Sequence, residues 1–310
     1  MKDQYSRSRR RLLQLMALGA GGFISPGFTR AGDGSLITKL IPSSNERIPV
    51  IGLGSSRTFN VGNDQQALDN VAEVMRYFFE ADGRLIDSSP MYGSSQPAIG
   101  YGLQKLGKTK DVFSAEKVWS WNSGQGPGQI EQSRGYWQVD ALDLIQVHNL
   151  VEWEEHLKTL YRMKLQGKVR YVGITTSHGR RHDELAEIME TQPLDFVQLS
   201  YNILDREAEQ TLLPLAKKRG IGVIVNRPFQ RGDLIEELED KPLPEWASSI
   251  GCNNWPQFLL KFVVSHPAVT CAIPATSQVA HVKENMAACY GALPDSTMRK
   301  QMIDYVEKII

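Results

Sequence analysis

The chain has 310 residues, of which 41% are hydrophobic and 23% charged. These proportions are typical of one large α/β domain with a buried core. The 35 basic and 35 acidic residues balance, which argues against a nucleic-acid-binding surface. The charge is uneven along the chain. Residues 1–31 hold six basic residues and one acidic residue, so the remainder, with 29 basic and 34 acidic residues, is mildly acidic.

A basic segment at the amino terminus precedes a short apolar stretch. Ser8, Arg9 and Arg10 are followed by a glycine-rich apolar run over residues 15–24, too short to span a bilayer comfortably. This order is typical of an export signal and resembles the twin-arginine signal. We therefore predict that residues 1–31 engage the twin-arginine export machinery, with transient membrane contact and a periplasmic location. The alternative is a basic tail on a cytoplasmic protein.

Short β-like runs alternate with helical patterns through the rest of the chain. Over residues 67–81 apolar residues recur at three- and four-residue steps, as one buried helix face requires. The polar stretch over residues 38–48 predicts a short hairpin that plugs the bottom of the barrel. Eight alternations in about 240 residues favour an α/β fold, a single-domain (β/α)8 TIM barrel over residues 32–310. The predicted strands are 49–54, 84–87, 112–116, 142–147, 169–175, 196–200, 221–226 and 269–273.

Two segments without a clear period interrupt this order, residues 119–127 and residues 228–254. Loops of that length in a compact barrel are usually functional. Trp119 and Trp121 in the first segment predict an aromatic wall of a substrate pocket, although packing within the loop is the alternative. The three cysteines lack metal-ligand spacing, so we interpret them as buried thiols and predict no metal site. They are Cys252, Cys271 and Cys289.

Four polar residues lie at or just past the ends of consecutive predicted strands: Asp87, Tyr92, Lys117 and His148. Because the carboxyl ends of parallel strands meet on one rim of a barrel, we expect these side chains to converge. A tyrosine with a pKa of about 10 is a reluctant proton donor and acceptor at neutral pH. An adjacent ammonium stabilises the phenolate and lowers that pKa, which suits Lys117 beside Tyr92. Asp87 would keep Lys117 charged, and a neutral His148 would orient a carbonyl oxygen.

Longer motifs around these residues resemble the aldo/keto reductases. Residues 87–93 are similar to the Asp-to-Tyr segment of that family, and residues 114–117 and 145–149 are similar to its lysine and histidine strands. The resemblance extends from about residue 36 to residue 310. It implies a (β/α)8 barrel that reduces carbonyl compounds with NADPH or NADH and uses the four strand-end residues in catalysis. Further similar segments are 170–175, 198–202, 273–277 and 281–285.

The resemblance also implies where the nucleotide binds. Gln198 is expected to hydrogen-bond the nicotinamide carboxamide, and Arg227 to stack on the nicotinamide or pair with the pyrophosphate. The start of the last barrel helix is expected to hold the adenosine phosphate, since helix N-termini attract anions. Each residue alone also fits a capping or packing role. The implied nucleotide-binding residues are Thr175, Thr176, Gln198, Arg227, Thr276, Ser277, His281, Glu284 and Asn285.

Two departures from the family pattern leave the choice of nucleotide open. Ala275 and His281 stand where relatives often carry basic residues that grip the 2′-phosphate of NADP. Both NADP(H) and NAD(H) are therefore expected candidates. The leading hypothesis is an exported reductase that acts on a small carbonyl compound. The alternatives are a nucleotide-binding sensor or partner subunit with little turnover, and a cofactor-free lyase or isomerase.

Overall fold

Strands and helices alternate along the barrel seen in the computed structural model, which describes residues 34–310. The export signal predicted over residues 1–31 lies outside the described residues. Within the described range, no helix is both long enough and apolar enough to cross a membrane.

The described residues form ten strands in two sheets. They are β1 (Thr38–Leu40), β2 (Arg47–Pro49), β3 (Leu53–Gly54), β4 (Leu85–Asp87), β5 (Phe113–Val118), β6 (Leu142–His148), β7 (Val169–Thr175), β8 (Phe196–Ser200), β9 (Gly222–Asn226) and β10 (Val269–Ala272). β1 and β2 pair as an antiparallel hairpin, whereas β3 to β10 form one parallel sheet in chain order. Parallel bridges from Ile51 to Ala272 and from Gly54 to Ala275 join the first and last parts of this sheet. The predicted (β/α)8 barrel is therefore confirmed.

Ten α-helices lie in the described part of the chain, most of them between barrel strands. They are α1 (Gln65–Glu80), α2 (Ser95–Leu106), α3 (Gly126–Trp137), α4 (Trp153–Leu165), α5 (His182–Thr191), α6 (Leu212–Arg219), α7 (Asp233–Leu238), α8 (Trp255–Ser265), α9 (Val279–Ala287) and α10 (Ser296–Ile309). Asp64, Asn254 and Asp295 cap the starts of α1, α8 and α10 by accepting hydrogen bonds from first-turn N–H groups. Gly107 and Gly220 end α2 and α6 in the left-handed conformation that glycine adopts without strain.

The β1–β2 hairpin closes the amino-terminal end of the barrel. Ile41 and Ile48 are fully buried among the side chains that fill the barrel interior. The same cluster contains the rings of Phe113, Tyr171 and Phe196, whose centroids lie 5.7 to 6.3 Å apart. These rings project from the first half of their strands, opposite the end that carries the polar residues. The plug predicted over residues 38–48 is confirmed.

The two segments predicted to be irregular contain short helices. A 3-10 turn over Ser123–Gln125 leads directly into α3. The segment 228–254 holds α7 and two further 3-10 helices, Gln230–Gly232 and Glu245–Ile250. Helices of three to six residues are too short to show an apolar period, which is why the sequence did not reveal them.

Candidate active site

The four polar strand-end residues meet at the carboxyl-terminal end of the barrel. Asp87 and His148 are the last residues of β4 and β6, and Lys117 lies one residue before the end of β5. Tyr92 lies in the turn that follows β4. Its backbone N–H donates a hydrogen bond to the Ser89 carbonyl over 3.0 Å. The side chains of Asp87, Lys117 and His148 are buried, whereas Tyr92 is half-buried. The structure therefore brings together all four residues, as the strand-end pattern predicts.

A buried ion pair between Lys117 and Asp87 lies beside Tyr92. Lys117 Nζ donates to Asp87 Oδ2 over 2.6 Å and to the Ser88 carbonyl over 2.7 Å. The same nitrogen lies 5.4 Å from the centroid of the Tyr92 ring. Burial by itself lowers the pKa of Lys117, but Asp87, Tyr92 and Glu116 together raise it above the usual value. The ammonium is therefore charged at neutral pH and faces the phenol.

The electrostatics of Tyr92 differ from the sequence-based expectation. Burial raises the pKa of the Tyr92 phenol, and the carboxylates of Asp87 and Glu116 add to the rise. Lys117 and the Ser56 side chain lower the same pKa, as expected for an ammonium and a hydroxyl donor, but the desolvation of the phenol outweighs them. Tyr92 is therefore protonated at neutral pH, the state that a proton donor needs.

His148 faces Tyr92 as a neutral imidazole. The two rings meet edge to face, with centroids 5.8 Å apart and planes at 90°. Burial, followed by the charge of Lys117, lowers the pKa of His148 to about 3. Ser89 Oγ lies 2.7 Å from His148 Nδ1. The expected neutral state of His148 is thus accounted for by desolvation and a neighbouring cation.

A polar network links the ion pair to the next strands of the barrel. Gln198 Nε2 donates to Asp87 Oδ1 over 2.8 Å, so Asp87 is held from two sides. Gln198 Oε1 accepts from Thr175 Oγ1 over 3.2 Å and from Asn226 Nδ2 over 3.4 Å. Asn226 Nδ2 also donates to the Thr176 carbonyl over 2.9 Å. Residues predicted to bind nucleotide therefore also fix the orientation of the Asp87 carboxylate.

These residues open onto a cavity of about 1210 Å³. That volume exceeds the range of about 300–1,000 Å³ usual for drug-sized ligands, which fits a dinucleotide together with a small substrate. The amino end of α9 forms one side of it. The predicted site residues that line the cavity are Asp87, Tyr92, His148, Thr175, Thr176, Gln198, Arg227, Thr276, His281, Glu284 and Asn285.

Four predicted site residues do not line this cavity. Lys117 is fully buried beside Tyr92, and the Ser277 carbonyl accepts a hydrogen bond from Asn70 Nδ2 on α1. Trp119 is held through its backbone by Gln129, and Trp121 is 74% exposed. The predicted tryptophan wall is therefore not part of the cavity lining, because β5 delivers both residues to the neighbouring loop, where Gln129 fixes the backbone.

Arginines that the sequence reasoning missed stand around the cavity. Arg57 follows β3, and Arg231 lies with Arg227 in the segment after β9. All three have positive φ angles, of 66°, 71° and 54°, an uncommon backbone state for residues other than glycine. Burial, then Arg231 and Arg57, lower the pKa of Arg227, although Asp233 opposes them. Among residues 34–310, no carboxylate forms an ion pair with these three guanidinium groups.

The donor set fits a nicotinamide nucleotide. Guanidinium groups without carboxylate partners match an anionic pyrophosphate, which they bind through paired N–H donors. The buried Asn285 and the Glu284 side chain line the cavity from α9, the helix that also carries His281. Nothing in the described range groups three or more His, Cys, Asp or Glu side chains as a metal site requires. The three cysteines are free and buried, as predicted.

The chain resembles known proteins in sequence. A sequence model described as "Aldo/keto reductase family" matches residues 50–304. Aldo-keto reductase YhdN of Bacillus subtilis is 28% identical over 209 residues, which cover 62% of this chain and 61% of YhdN, less than two thirds of its length. L-galactose dehydrogenase of Arabidopsis thaliana is 26% identical over 309 residues, covering 85% of this chain and 91% of that protein.

A solved structure shares the fold. The aldo/keto reductase of Klebsiella pneumoniae, determined in complex with NADP and acetate, superposes with a TM-score of 0.73 and 22% identity. The superposition covers 87% of this chain and 96% of that chain. At this level of identity the likeness shows the barrel fold.

Proposed function

The chain belongs to the aldo/keto reductase family, and from that premise we propose that it reduces aldehydes or ketones to alcohols with NADPH or NADH. The observation that carries this proposal is the contact of a protonated Tyr92 with the buried Lys117–Asp87 pair and with a neutral His148. All of these groups lie at the carboxyl-terminal end of the barrel, where barrel enzymes hold their active sites.

Each residue has a role that follows from its surroundings. Bound nicotinamide nucleotide supplies the hydride. Tyr92 gives its phenolic proton to the developing alkoxide, and Lys117 stabilises the phenolate that remains. Asp87 keeps Lys117 charged and in place through the 2.6 Å ion pair. His148 is neutral, so it presents a ring nitrogen to the carbonyl oxygen without adding a second charge.

The nucleotide would lie along the cavity from the polar network to α9. Gln198, already engaged with Asp87, places an amide near the nicotinamide end. Arg227, with Arg57 and Arg231, would hold the pyrophosphate. His281, whose Nδ1 lies 3.5 Å from Thr276 Oγ1, is in the first turn of α9, where it would contact the adenosine phosphate. His281 is a weaker anion ligand than arginine, so both NADPH and NADH are proposed cofactors.

Substitution of Tyr92 tests this function. The full-length protein is titrated with NADPH and NADH by tryptophan fluorescence, and aldehyde-dependent oxidation of the nucleotide is then measured. Tyr92→Phe should lower kcat/KM by about 10²- to 10⁴-fold, as loss of a general acid does, and should leave the nucleotide Kd unchanged. Tyr136→Phe, which removes a hydroxyl from a side chain outside the cavity lining, is the matched control.

The same assay separates the rival functions. Tight nucleotide binding without oxidation that depends on Tyr92 would favour a sensor or partner subunit. Failure to bind either nucleotide would refute both nucleotide-dependent functions and favour a lyase or isomerase.

We further propose that the protein is exported through the twin-arginine pathway to the periplasm. The support is the order of Ser8, Arg9 and Arg10 before the apolar run over residues 15–24. Arg9→Lys combined with Arg10→Lys should trap a tagged protein in the cytoplasm, as cell fractionation would show. Arg30→Lys removes an arginine downstream of the motif and serves as the control. Equal periplasmic recovery of the double variant would refute the proposal and support a cytoplasmic location.

A further inference from the structure

A serine hydroxyl joins the turn after β4 to the catalytic histidine. Ser89 Oγ lies 2.7 Å from His148 Nδ1 and accepts a hydrogen bond from the Met91 N–H over 3.2 Å. Ser89 is fully buried, and His148 is 6% exposed. The opposite ring nitrogen, Nε2, makes no hydrogen bond to residues 34–310, and His148 lines the cavity.

The direction of the Ser89–His148 hydrogen bond follows from counting donors. A serine hydroxyl has one hydrogen to donate and two lone pairs that accept. The Met91 N–H already occupies one lone pair of Ser89 Oγ. Within the described chain, His148 Nδ1 is the acceptor that the Ser89 hydrogen can reach. If Nδ1 itself carried a hydrogen, the Ser89 hydrogen would be buried without a partner, at a cost of about 1–3 kcal/mol.

A neutral imidazole carries one hydrogen, on one of its two nitrogens. Because His148 is neutral and Nδ1 accepts from Ser89, the hydrogen of His148 is on Nε2. Nε2 is the nitrogen left for the cavity, so it faces the substrate as a donor. In the opposite tautomer, the lone pair of Nε2 would face the lone pairs of a carbonyl oxygen.

We propose that Ser89 is a positioning residue that holds His148 in the Nε2–H tautomer, so that His148 donates a hydrogen bond to the substrate carbonyl oxygen. The inference rests on the proposed function for the identity of the acceptor. The assignment of the tautomer itself rests on the contacts of Ser89 with Met91 and His148.

The tautomer is measured by ¹⁵N–¹H correlation spectra of ¹⁵N-histidine-labelled full-length protein, which distinguish a protonated Nε2 from a protonated Nδ1. The wild type should show the Nε2–H pattern for His148. Ser89→Ala should lose that pattern or show a mixture of tautomers, and Ser89→Thr, which keeps a hydroxyl, should restore it. An Nδ1–H pattern in the wild type, or an unchanged pattern in Ser89→Ala, would overturn the proposal.

Kinetics provide the second readout. Ser89→Ala should lower kcat by about 10- to 100-fold with the nucleotide Kd unchanged, the range seen when a residue that orients a metal-bound histidine is lost, and Ser89→Thr should recover most of kcat. Ser95→Ala is the matched control, because Ser95 is a buried serine of the same region whose hydroxyl bonds to Ser88 rather than to His148. The spectra need no turnover, so they decide the role of Ser89 even if the aldehyde assay refutes the reductase function.

Discussion

Glu116 and Lys117 are adjacent on β5 but have different partners. Lys117 is paired with Asp87, whereas Glu116 is fully buried and has hydrogen-bond donors rather than an ion-pair partner. Glu116 Oε1 accepts from the Lys117 N–H over 2.8 Å, and Oε2 accepts from Trp137 Nε1 over 2.8 Å. Burial raises the pKa of Glu116 to about 7, although the Lys117 charge, the Gln96 side chain and these donors oppose the rise.

This raised pKa predicts how Glu116 contributes to stability. Its folded-state pKa of about 7 exceeds the unfolded value of 4.5, so its stabilising effect is complete below about pH 4.5 and is lost as the pH rises through 7. Glu116→Gln keeps an oxygen acceptor but cannot ionise. The free energy of unfolding of the wild type relative to this variant should therefore fall by about 2–3 kcal/mol between pH 4.5 and pH 8.

Urea unfolding at several pH values measures this difference. The pH dependence caused by His148, whose pKa falls to about 3, is common to both proteins and cancels. Glu131→Gln makes the same substitution on α3, at a side chain that is 43% exposed, and serves as the matched control. If the difference for Glu116→Gln also stayed constant with pH, folding would not raise the pKa of Glu116.

At the scale of elements, strands were predictable and the loops after them were not. β4 and β6 to β9 each end in a polar residue, and Lys117 lies one residue before the end of β5. Parallel pairing in chain order then leaves one convergence point for Asp87, Lys117 and His148. That point could be inferred from the sequence because a strand has a fixed period and direction. The positions of Trp119 and Trp121 relative to the cavity could not be predicted, because they depend on a loop held by Gln129.

Two cavity-lining arginines also lie in loops whose positions the sequence did not predict. Arg57 and Arg231 were missed because nothing in the local sequence indicates that two loops separated by more than 170 residues line one cavity. Their positive φ angles are local strain that tertiary contacts must maintain, and such strain concentrates at functional sites. The available signal was the presence of arginines in the segments after β3 and β9, since a barrel brings the carboxyl ends of all its strands to one rim.

At the scale of the whole molecule, one end of the barrel is packed and closed, whereas the other end holds the candidate active site. The amino-terminal end is filled by packed aromatic rings and closed by the β1–β2 hairpin. Lys39 fastens that hairpin by donating to the carbonyls of Val264, His266 and Val269 over 2.6 to 2.8 Å. The carboxyl-terminal end holds the polar network and the cavity. Substitutions at the amino-terminal end should therefore change the free energy of unfolding, and substitutions at the carboxyl-terminal end should change kcat.

Ile48→Ala tests this separation. Ile48 is fully buried against the interior aromatic cluster, so truncation should leave a cavity and lower the free energy of unfolding by about 2–5 kcal/mol. Leu40→Ala on the same hairpin removes a side chain that is 43% exposed and should change that free energy by less than about 0.5 kcal/mol. Both variants should keep the wild-type kcat and nucleotide Kd at temperatures well below their unfolding midpoints. A fall in kcat of the folded Ile48→Ala protein would show instead that packing at the amino-terminal end affects the position of Tyr92 at the other end of the barrel.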